Sequence, residues 1–271
     1  MKNSLFIKQT HSTNVLLWEM LRNEQLPQGF VVHTDFQSAG KGQVGNSWES
    51  ETGKNLLFSM VLYPQQIPLD QLFLISQLVS LGIKKGLEKY ADETILKGVR
   101  HVIQGEADPD FILRKNFNRG VSLLKKYSMV YDILIVERQL PNTIKFVDQN
   151  PDQPFVLDHI AKPLIGQNEL SPWKSNMAEL AKRENVSCKL SGMVTEADFQ
   201  NWTPSQLQPY FEVVLEAFGP ERLLFGSDWP VCLVATTYKN WKNLVQENIS
   251  SFSETEQAKI MGENAIRIYK L

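Results

Sequence analysis

A carboxylate and two histidines in the carboxyl-terminal part of the sequence have types and positions that suit catalysis. Asp228 follows a predicted apolar strand and lies within residues 225–230 (Phe-Gly-Ser-Asp-Trp-Pro). A carboxylate at the carboxyl end of a strand can serve as a general base or a metal ligand, and a turn or helix-cap aspartate is the alternative. His159 and His101 each lie in a predicted strand that is mostly apolar. For both residues, a histidine packed in the core is the alternative interpretation.

Polar residues end each strand that we predict after residue 97. They are Arg100 with His101, Asp132, Asp158 with His159, Lys189 with Ser191, and Ser227 with Asp228. In parallel α/β folds the active site lies at the carboxyl ends of the strands. Arg100 could bind a substrate carboxylate or form a structural ion pair. We expect Arg100, Lys189 and Trp229 to bind substrate.

A second candidate site is a glycine-rich loop in the first third of the chain, residues 40–45 (Gly-Lys-Gly-Gln-Val-Gly). Backbone N–H groups and a lysine in such a loop can cradle a phosphate or carboxylate. The loop is not a P-loop, because no Gly-Lys-Ser/Thr ends it. A flexible hairpin loop is the alternative interpretation.

Two kinds of element must position these groups. The sequence pattern of the first third predicts strands at 4–9, 30–37 and 55–63. It also predicts a helix capped by Ser12 or Thr13 and a long helix over 69–91. From residue 97 the predicted strands are 99–104, 130–136, 155–160, 186–190 and 223–225. Between and after them lie predicted helices at 110–128, 140–149, 171–184, 204–218, 236–250 and 253–262. This alternation predicts βαβ units on a parallel sheet.

Four motifs in the first segment agree in order and spacing with one family. They are residues 11–14 (His-Ser-Thr-Asn), 35–43 (Asp-Phe-Gln-Ser-Ala-Gly-Lys-Gly-Gln), 46–50 (Asn-Ser-Trp-Glu-Ser) and 53–59 (Gly-Lys-Asn-Leu-Leu-Phe-Ser). Over residues 4–93 the chain resembles the amino-terminal half of the catalytic domain of biotin–protein ligases. The resemblance implies a loop closing over biotin and its adenylate. The implied biotin-binding residues are Ser12, Thr13, Gln37, Gly40, Lys41, Gly42, Gln43 and Trp48.

The sequence departs from that family after the long helix. The family requires a strand with Lys-Trp-Pro-Asn-Asp, whose lysine is central to the ligase reaction, and this motif is absent from the chain. Lys41 stands where the family's loop has an arginine, which keeps the charge but loses the bidentate geometry. The resemblance therefore implies a binding fragment rather than a competent ligase.

Five short motifs of the second segment match another family in order and spacing. They are residues 98–104 (Gly-Val-Arg-His-Val-Ile-Gln), 158–163 (Asp-His-Ile-Ala-Lys-Pro), 188–192 (Cys-Lys-Leu-Ser-Gly), 225–230 and 263–265 (Glu-Asn-Ala). From residue 97 onward the chain resembles the sugar-lactone and dicarboxylate-lactone hydrolases of the amidohydrolase-related superfamily. The resemblance implies strands four to eight of a (β/α)8 barrel. It also implies that Asp228 activates water, that His159 and His101 face the substrate, and that Arg100 orients an anionic group.

This resemblance is incomplete in one important respect. The family opens with a His-x-His pair, and no two of His11, His33, His101 and His159 are two residues apart. A bound divalent metal is therefore an open question, and we assign no metal ligands. Biotin and ATP are the cofactors implied only if the ligase-like segment functions.

Composition sets the class of protein and of partner. The chain has 271 residues, with 28 Lys and Arg against 30 Asp and Glu, a net charge of −2. This balance argues against nucleic-acid binding, and no apolar run approaches the ~18 residues of a membrane span. Two cysteines, Cys188 and Cys232, make no disulfide framework, and no signal-peptide pattern begins the chain. We expect a cytoplasmic protein with a small-molecule substrate that self-associates through open sheet edges.

We therefore predict a hybrid α/β chain. Residues 1–94 form an α+β ligase-like fragment, and residues 95–271 form an incomplete (β/α)8 barrel. The first functional hypothesis is a hydrolase of a sugar lactone or similar cyclic ester that uses Asp-activated water, impaired by truncation. The second is a biotin–[acetyl-CoA-carboxylase] ligase-type protein that binds biotin or biotinyl-adenylate. The third is an inactive hybrid remnant.

Overall fold

The chain divides into two compact units, Met1–Leu81 and Gly82–Leu271. The structure is a computed structural model that describes residues 3–41, 47–48, 51–53, 55–64, 67, 73–88 and 96–271. The predicted boundary between residues 94 and 95 lies within residues 89–95, which are outside the described residues. It therefore stays a prediction.

The first unit contains a small mixed sheet. Its strands and first helix are β1 (Ser4–Thr10), α1 (Thr13–Asn23), β2 (Val31–Gln37), β3 (Gly40–Lys41), β4 (Ser47–Trp48) and β5 (Leu57–Met60). In the order β1-β2-β5, β1 pairs parallel and β5 antiparallel with β2. Helix α2 (Phe73–Glu88) begins in the first unit and ends in the second.

Strands β3 and β4 form a separate two-residue ladder. Gly40 pairs with Trp48 and Lys41 with Ser47, both antiparallel. Gly42 and Gln43 lie outside the described residues. Ser12 is the N-cap residue of α1, as predicted, but its side chain makes no capping hydrogen bond.

The second unit is built on five parallel strands that follow one another in sequence order. They are β6 (Gly98–Val102), β7 (Val130–Leu134), β8 (Phe155–Leu157), β9 (Val186–Leu190) and β10 (Leu223–Phe225). The helices are α3 (Lys115–Ser122), α4 (Leu140–Asp148), α5 (Trp173–Leu180), α6 (Pro204–Phe218), α7 (Tyr238–Asn248), α8 (Glu254–Ala258) and α9 (Asn264–Tyr269). All four strand pairs are parallel. The predicted α/β architecture with an incomplete (β/α)8 barrel is confirmed.

Two predicted elements are shorter in the structure for local reasons. The strand predicted over 155–160 ends at Leu157, because four consecutive residues from His159 to Lys162 have φ between 47° and 60°. A left-handed backbone cannot continue a strand. The helix predicted over 110–128 is reduced to α3, because Arg114 has extended ψ (133°) and separates α3 from the preceding 3-10 turn.

One face of the five-stranded sheet is covered by the last helix. Val130, Val156 and Leu224 are buried there, and Ala265, Ile268 and Tyr269 of α9 pack against them. The side-chain amide of Asn264 anchors α9, because it donates to the carbonyls of Pro220 (2.7 Å) and Leu223 (2.8 Å) at the start of β10. Of the helices within the described ranges, none has the length and apolar character needed to cross a membrane.

Candidate active site

His159 and Asp228 meet at the carboxyl edge of the five-stranded sheet. His159 follows β8 and Asp228 follows β10. His159 Nε2 lies 3.7 Å from Asp228 Oδ1, and only 12% of each side chain is exposed. This separation is longer than a direct hydrogen bond. The gap is too short for a water between the two atoms, but a small molecule bound beside the pair can contact both.

Both residues occupy a strained backbone conformation. The φ angles are 52° for His159 and 53° for Asp228, in the left-handed region that non-glycine residues rarely adopt. Each such residue costs on the order of 1 kcal/mol, and it persists only where its surroundings fix it. This conformation turns the chain sharply at the end of each strand.

Ser191 and Gly192, which directly follow β9, lie against the His159 ring. Ser191 Oγ lies 2.9 Å from His159 Nδ1, and Ser191 is almost fully buried. Gly192 has φ +66°, and a Cβ built there would lie 2.7 Å from three atoms of the His159 side chain. Ser191 stood among the strand-end polar residues in the sequence, but the contact with the ring had no sequence signal.

The close approach at Gly192 predicts a specific effect of adding one methyl group. We expect Gly192→Ala to displace the His159 ring, since no Cβ fits at 2.7 Å, and to destabilise the protein by about 1–3 kcal/mol. Gly219→Ala is the matched control, because Gly219 has φ +62° with nothing within 4 Å. Chemical denaturation of both variants separates backbone strain from the clash. Equal losses would show that the ring is not held by Gly192.

Burial shifts the pKa values of the two central groups in opposite directions. Burial raises the pKa of Asp228 to about 6, and burial lowers the pKa of His159 to about 4. His159 is charged only below about pH 4, where Asp228 is protonated. Above about pH 6 the contact therefore joins a neutral imidazole to a carboxylate.

A network of charged side chains lies at the same edge of the sheet. Lys189 Nζ donates to Asp158 Oδ1 (2.6 Å) and Asp132 Oδ2 (3.0 Å). Arg100 Nη1 donates to Asp158 Oδ2 (2.9 Å), and the Tyr269 hydroxyl donates to Asp132 Oδ1 (2.7 Å). Two cations and two carboxylates thus balance one another across β6, β7, β8 and β9.

The network keeps its central pair charged. Burial alone would raise the pKa of Asp158, but the Lys189 ammonium beside it holds that pKa below its usual range. Burial alone would lower the pKa of Lys189, and the two carboxylates raise it instead. Burial outweighs Lys189 at Asp132, whose pKa is raised. Lys189 is thus engaged by protein carboxylates, while Arg100 is half-exposed and uses one nitrogen on Asp158.

The other predicted residues of this site are more scattered. His101 Nε2 lies 2.6 Å from Glu106 Oε1, and its ring stacks on Phe111 with centroids 5.1 Å apart. Trp229 is 63% exposed. The structure brings His159 and Asp228 together and gives His101 a partner of its own, Glu106, which sequence reasoning missed. The predicted roles of His101 and Trp229 stay predictions.

A further ion pair borders the site. Lys162 Nζ lies 3.0 Å from Glu196 Oε1, which joins the segments after β8 and β9. The Lys162 charge opposes the effect of burial on the pKa of Asp228. Sequence reasoning missed both residues, because neither ends a strand. Tyr269 was missed for the same reason.

The described side chains do not form a metal cage by themselves. Within the described ranges, no group of three or more histidine, cysteine, aspartate or glutamate side chains converges as metal ligands would. His159 and Asp228 supply two donors. Stable protein sites for zinc have three or four protein ligands.

The first unit brings three of its predicted binding residues together. Gln37 Oε1 accepts hydrogen bonds from the backbone N–H (2.7 Å) and the hydroxyl (3.0 Å) of Thr13. The Thr13 hydroxyl is also 2.9 Å from the Ser59 hydroxyl. Ser12, which precedes Thr13 in the sequence, is buried. The side chains of Lys41 and Trp48, together with Gly42 and Gln43, lie outside what the structure describes. The predicted biotin-binding roles stay predictions.

Comparison with known families finds two matches, which overlap over residues 82–108. Residues 82–271 match the model of the family described as "Amidohydrolase". Residues 6–108 match the model described as "Biotin/lipoate A/B protein ligase family". The hybrid description is therefore confirmed.

Individual relatives match one segment each. An L-fucono-1,5-lactonase of Burkholderia multivorans is 40% identical over 189 residues, which cover 66% of this chain and 64% of the relative. The chain thus spans less than two thirds of this curated relative. The bifunctional ligase/repressor BirA of Bacillus subtilis is 32% identical over 71 residues, covering 26% of this chain and 22% of the relative.

The second unit also has relatives among solved structures. A crystal structure of a Burkholderia multivorans amidohydrolase with bound zinc is 37% identical, with a TM-score of 0.65. The match covers 70% of this chain and 69% of that one.

Proposed function

Because the chain belongs to the amidohydrolase family, we propose that its second unit hydrolyses a lactone of a sugar acid. Asp228 is the general base that activates water in this proposal. The observation that carries it is the pairing of the Asp228 carboxylate with the neutral His159 ring at 3.7 Å. The name of the 40% identical relative, an L-fucono-1,5-lactonase, supports the substrate class.

The chemistry follows from the charge states of the two groups. Above pH 6 the Asp228 carboxylate can take a proton from water as the water oxygen attacks the lactone carbonyl carbon. The ester C–O bond of the ring then breaks, and the proton held by Asp228 passes to the ring oxygen. One water is consumed, and a hydroxy acid is formed.

Charge that develops on the carbonyl oxygen needs preorganised donors. Arg100 is the cation at this edge with a half-exposed side chain and one nitrogen engaged on Asp158. We assign Arg100 to the substrate and Lys189 to holding Asp158 and Asp132 in place. His101 is assigned to the substrate side as in the sequence-based prediction.

The direct test is acid release from a panel of 1,5- and 1,4-aldonolactones, including L-fucono-1,5-lactone. Each reaction is run after chelator treatment and again with added zinc, because one relative binds zinc. We expect release above the spontaneous rate in at least one condition. Absence of release across the panel with and without metal would overturn the proposal and favour the inactive-hybrid hypothesis.

The pKa of Asp228 predicts the shape of the pH profile. Because only the carboxylate accepts a proton, kcat/KM should fall about tenfold per pH unit below pH 6 and level off above it. His159 stays neutral over this range, so its titration should add no second bend above pH 5. Rates corrected for spontaneous lactone opening check this. A profile that is flat between pH 5 and 7 would contradict a general base with this raised pKa.

Biotin binding by the first unit is the second candidate function. Its support is the match of residues 6–108 to the ligase family and the hydrogen-bonded contact of Thr13 with Gln37. We expect titration calorimetry of the full chain to detect biotin, and Gln37→Ala to weaken binding at least tenfold. Gln28→Ala, in the same unit, is the control. No heat with biotin, alone or with ATP, would remove this candidate.

A further inference from the structure

We propose that Ser191 is a positioning residue that fixes the tautomer of His159. The inference concerns the two ring nitrogens, which face different partners. Nδ1 lies 2.9 Å from Ser191 Oγ, and Nε2 lies 3.7 Å from Asp228 Oδ1. The role of Ser191 in turnover rests on the proposed function, whereas its effect on the ring does not.

The chemistry of the partners decides which nitrogen carries the proton. An ionised carboxylate only accepts hydrogen bonds, so the nitrogen that faces Asp228 is favoured as the N–H. A neutral imidazole has one N–H and one acceptor nitrogen, which leaves Nδ1 as the acceptor. The Ser191 hydroxyl must then donate to Nδ1. Within the described residues, His159 Nδ1 is the one hydrogen-bond partner of the Ser191 hydroxyl, so the Nδ1–H tautomer would leave the buried hydroxyl proton without an acceptor. Ser191 therefore favours the proton on Nε2 together with Asp228.

The burial of Ser191 separates this role from nucleophilic catalysis. Only 1% of Ser191 is exposed, so a substrate carbonyl cannot reach its oxygen. The hydroxyl is enclosed by the His159 ring and by Gly226, where an added Cβ would lie 2.9 Å from Ser191 Cβ. Ser191 therefore acts through His159 and not on substrate.

The fixed tautomer has a consequence for the proposed reaction. A neutral His159 with its proton on Nε2 presents a hydrogen-bond donor toward the space beside Asp228. That donor can hold the oxygen of the attacking water or of the carbonyl while Asp228 takes the proton. With the opposite tautomer, an acceptor nitrogen would face the carboxylate and compete for the same proton.

The test measures the tautomer itself, by ¹⁵N NMR of histidine-labelled protein. The chain has four histidines, so the spectrum has four ring systems, and His159→Gln assigns the one in question. At pH 7 we expect wild-type His159 to show the Nε2–H form. Ser191→Ala should shift it to a mixture or to Nδ1–H. Ser187→Ala, a serine of β9 without a contact to the ring, should leave it unchanged.

Activity is read on the same variants. For a lactone that the wild type hydrolyses, Ser191→Ala should lower kcat about tenfold to a hundredfold with little change in KM. Ser191→Cys, which keeps a weak donor, should recover part of the loss and serves if the alanine variant does not fold. A wild-type Nδ1–H form, or a tautomer unaffected by Ser191→Ala and Ser191→Cys, would overturn the proposal. The NMR result stands even if no lactone is hydrolysed, which separates its failure from that of the proposed function.

Discussion

Asp228→Asn is expected to abolish lactone hydrolysis and, at the same time, to make the protein more stable. Loss of the general base should lower kcat/KM by about 10²–10⁴-fold. Asparagine has the same shape and also tolerates the left-handed backbone that Asp228 adopts, with φ 53°. The amide cannot accept a proton from water, so the loss reports the chemistry and not the fold.

The gain in stability follows from the raised pKa of Asp228. The folded protein raises this pKa from 3.8 to about 6, so the carboxylate is disfavoured in the folded state relative to the unfolded chain. The penalty is absent below pH 3.8, grows as pH rises, and is complete above about pH 6. At pH 8 Asp228→Asn should therefore raise the free energy of unfolding by about 3 kcal/mol, and at pH 4 it should change little.

The measurement is urea denaturation of wild type and variant at both pH values. Asp198→Asn is the matched control, because Asp198 is an exposed aspartate that hydrogen-bonds within its own turn. Burial does not raise the pKa of Asp198, so this control should show no gain at pH 8. An Asp228→Asn variant that keeps full activity would refute its role as the base.

Lys189→Met carries the largest expected loss of stability. Lys189 bridges Asp158, whose side chain is fully buried, and Asp132, at 2.6 Å and 3.0 Å. Removing one partner of a buried ion pair typically costs about 3–5 kcal/mol, because the remaining charge is left without compensation. Arg100 alone would then face two carboxylates. We expect a loss in that range at pH 7, measured by chemical denaturation.

The dependence of this loss on pH identifies its origin. The Asp132 pKa is already raised by burial, and without Lys189 it rises further, so lowering the pH protonates Asp132 and reduces the loss. The double variant Lys189→Met with Asp132→Asn should recover part of it. Lys182→Met is the control: its partner Glu179 is 2.6 Å away but both side chains are exposed, so little loss of stability is expected. Equal losses at positions 182 and 189 would contradict the network.

The part of the site that could be predicted from sequence is the part that lies at the carboxyl ends of the parallel strands. Parallel strands bring their carboxyl ends to one edge, so Asp132, Asp158, Lys189 and Asp228 were expected to be neighbours. The structure shows contacts among the first three and pairs Asp228 with His159. The five strands and helices α3 to α8 of the second unit could likewise be predicted, because strands and helices alternate along the sequence.

What could not be predicted depends on tertiary contacts and unusual backbone. The apolar residues Ile160 and Ala161 favour extended or helical structure, yet both have positive φ, because the surrounding loop fixes them. The need for glycine at 192 arises only from the His159 ring packed beside it. Tyr269 reaches Asp132 across 137 residues of sequence, and no local pattern encodes such a distance.

The position of α9 has a consequence for the order in which the protein can form during synthesis. Its residues Ile268 and Tyr269 cover Val130, Val156 and Leu224, and Tyr269 completes the hydrogen bonds of Asp132. The strands emerge from the ribosome before this cover does. A nascent chain that stops short of residue 269 exposes one apolar sheet face and leaves Asp132 without its phenol. This face of the sheet is thus covered only after translation has passed α9.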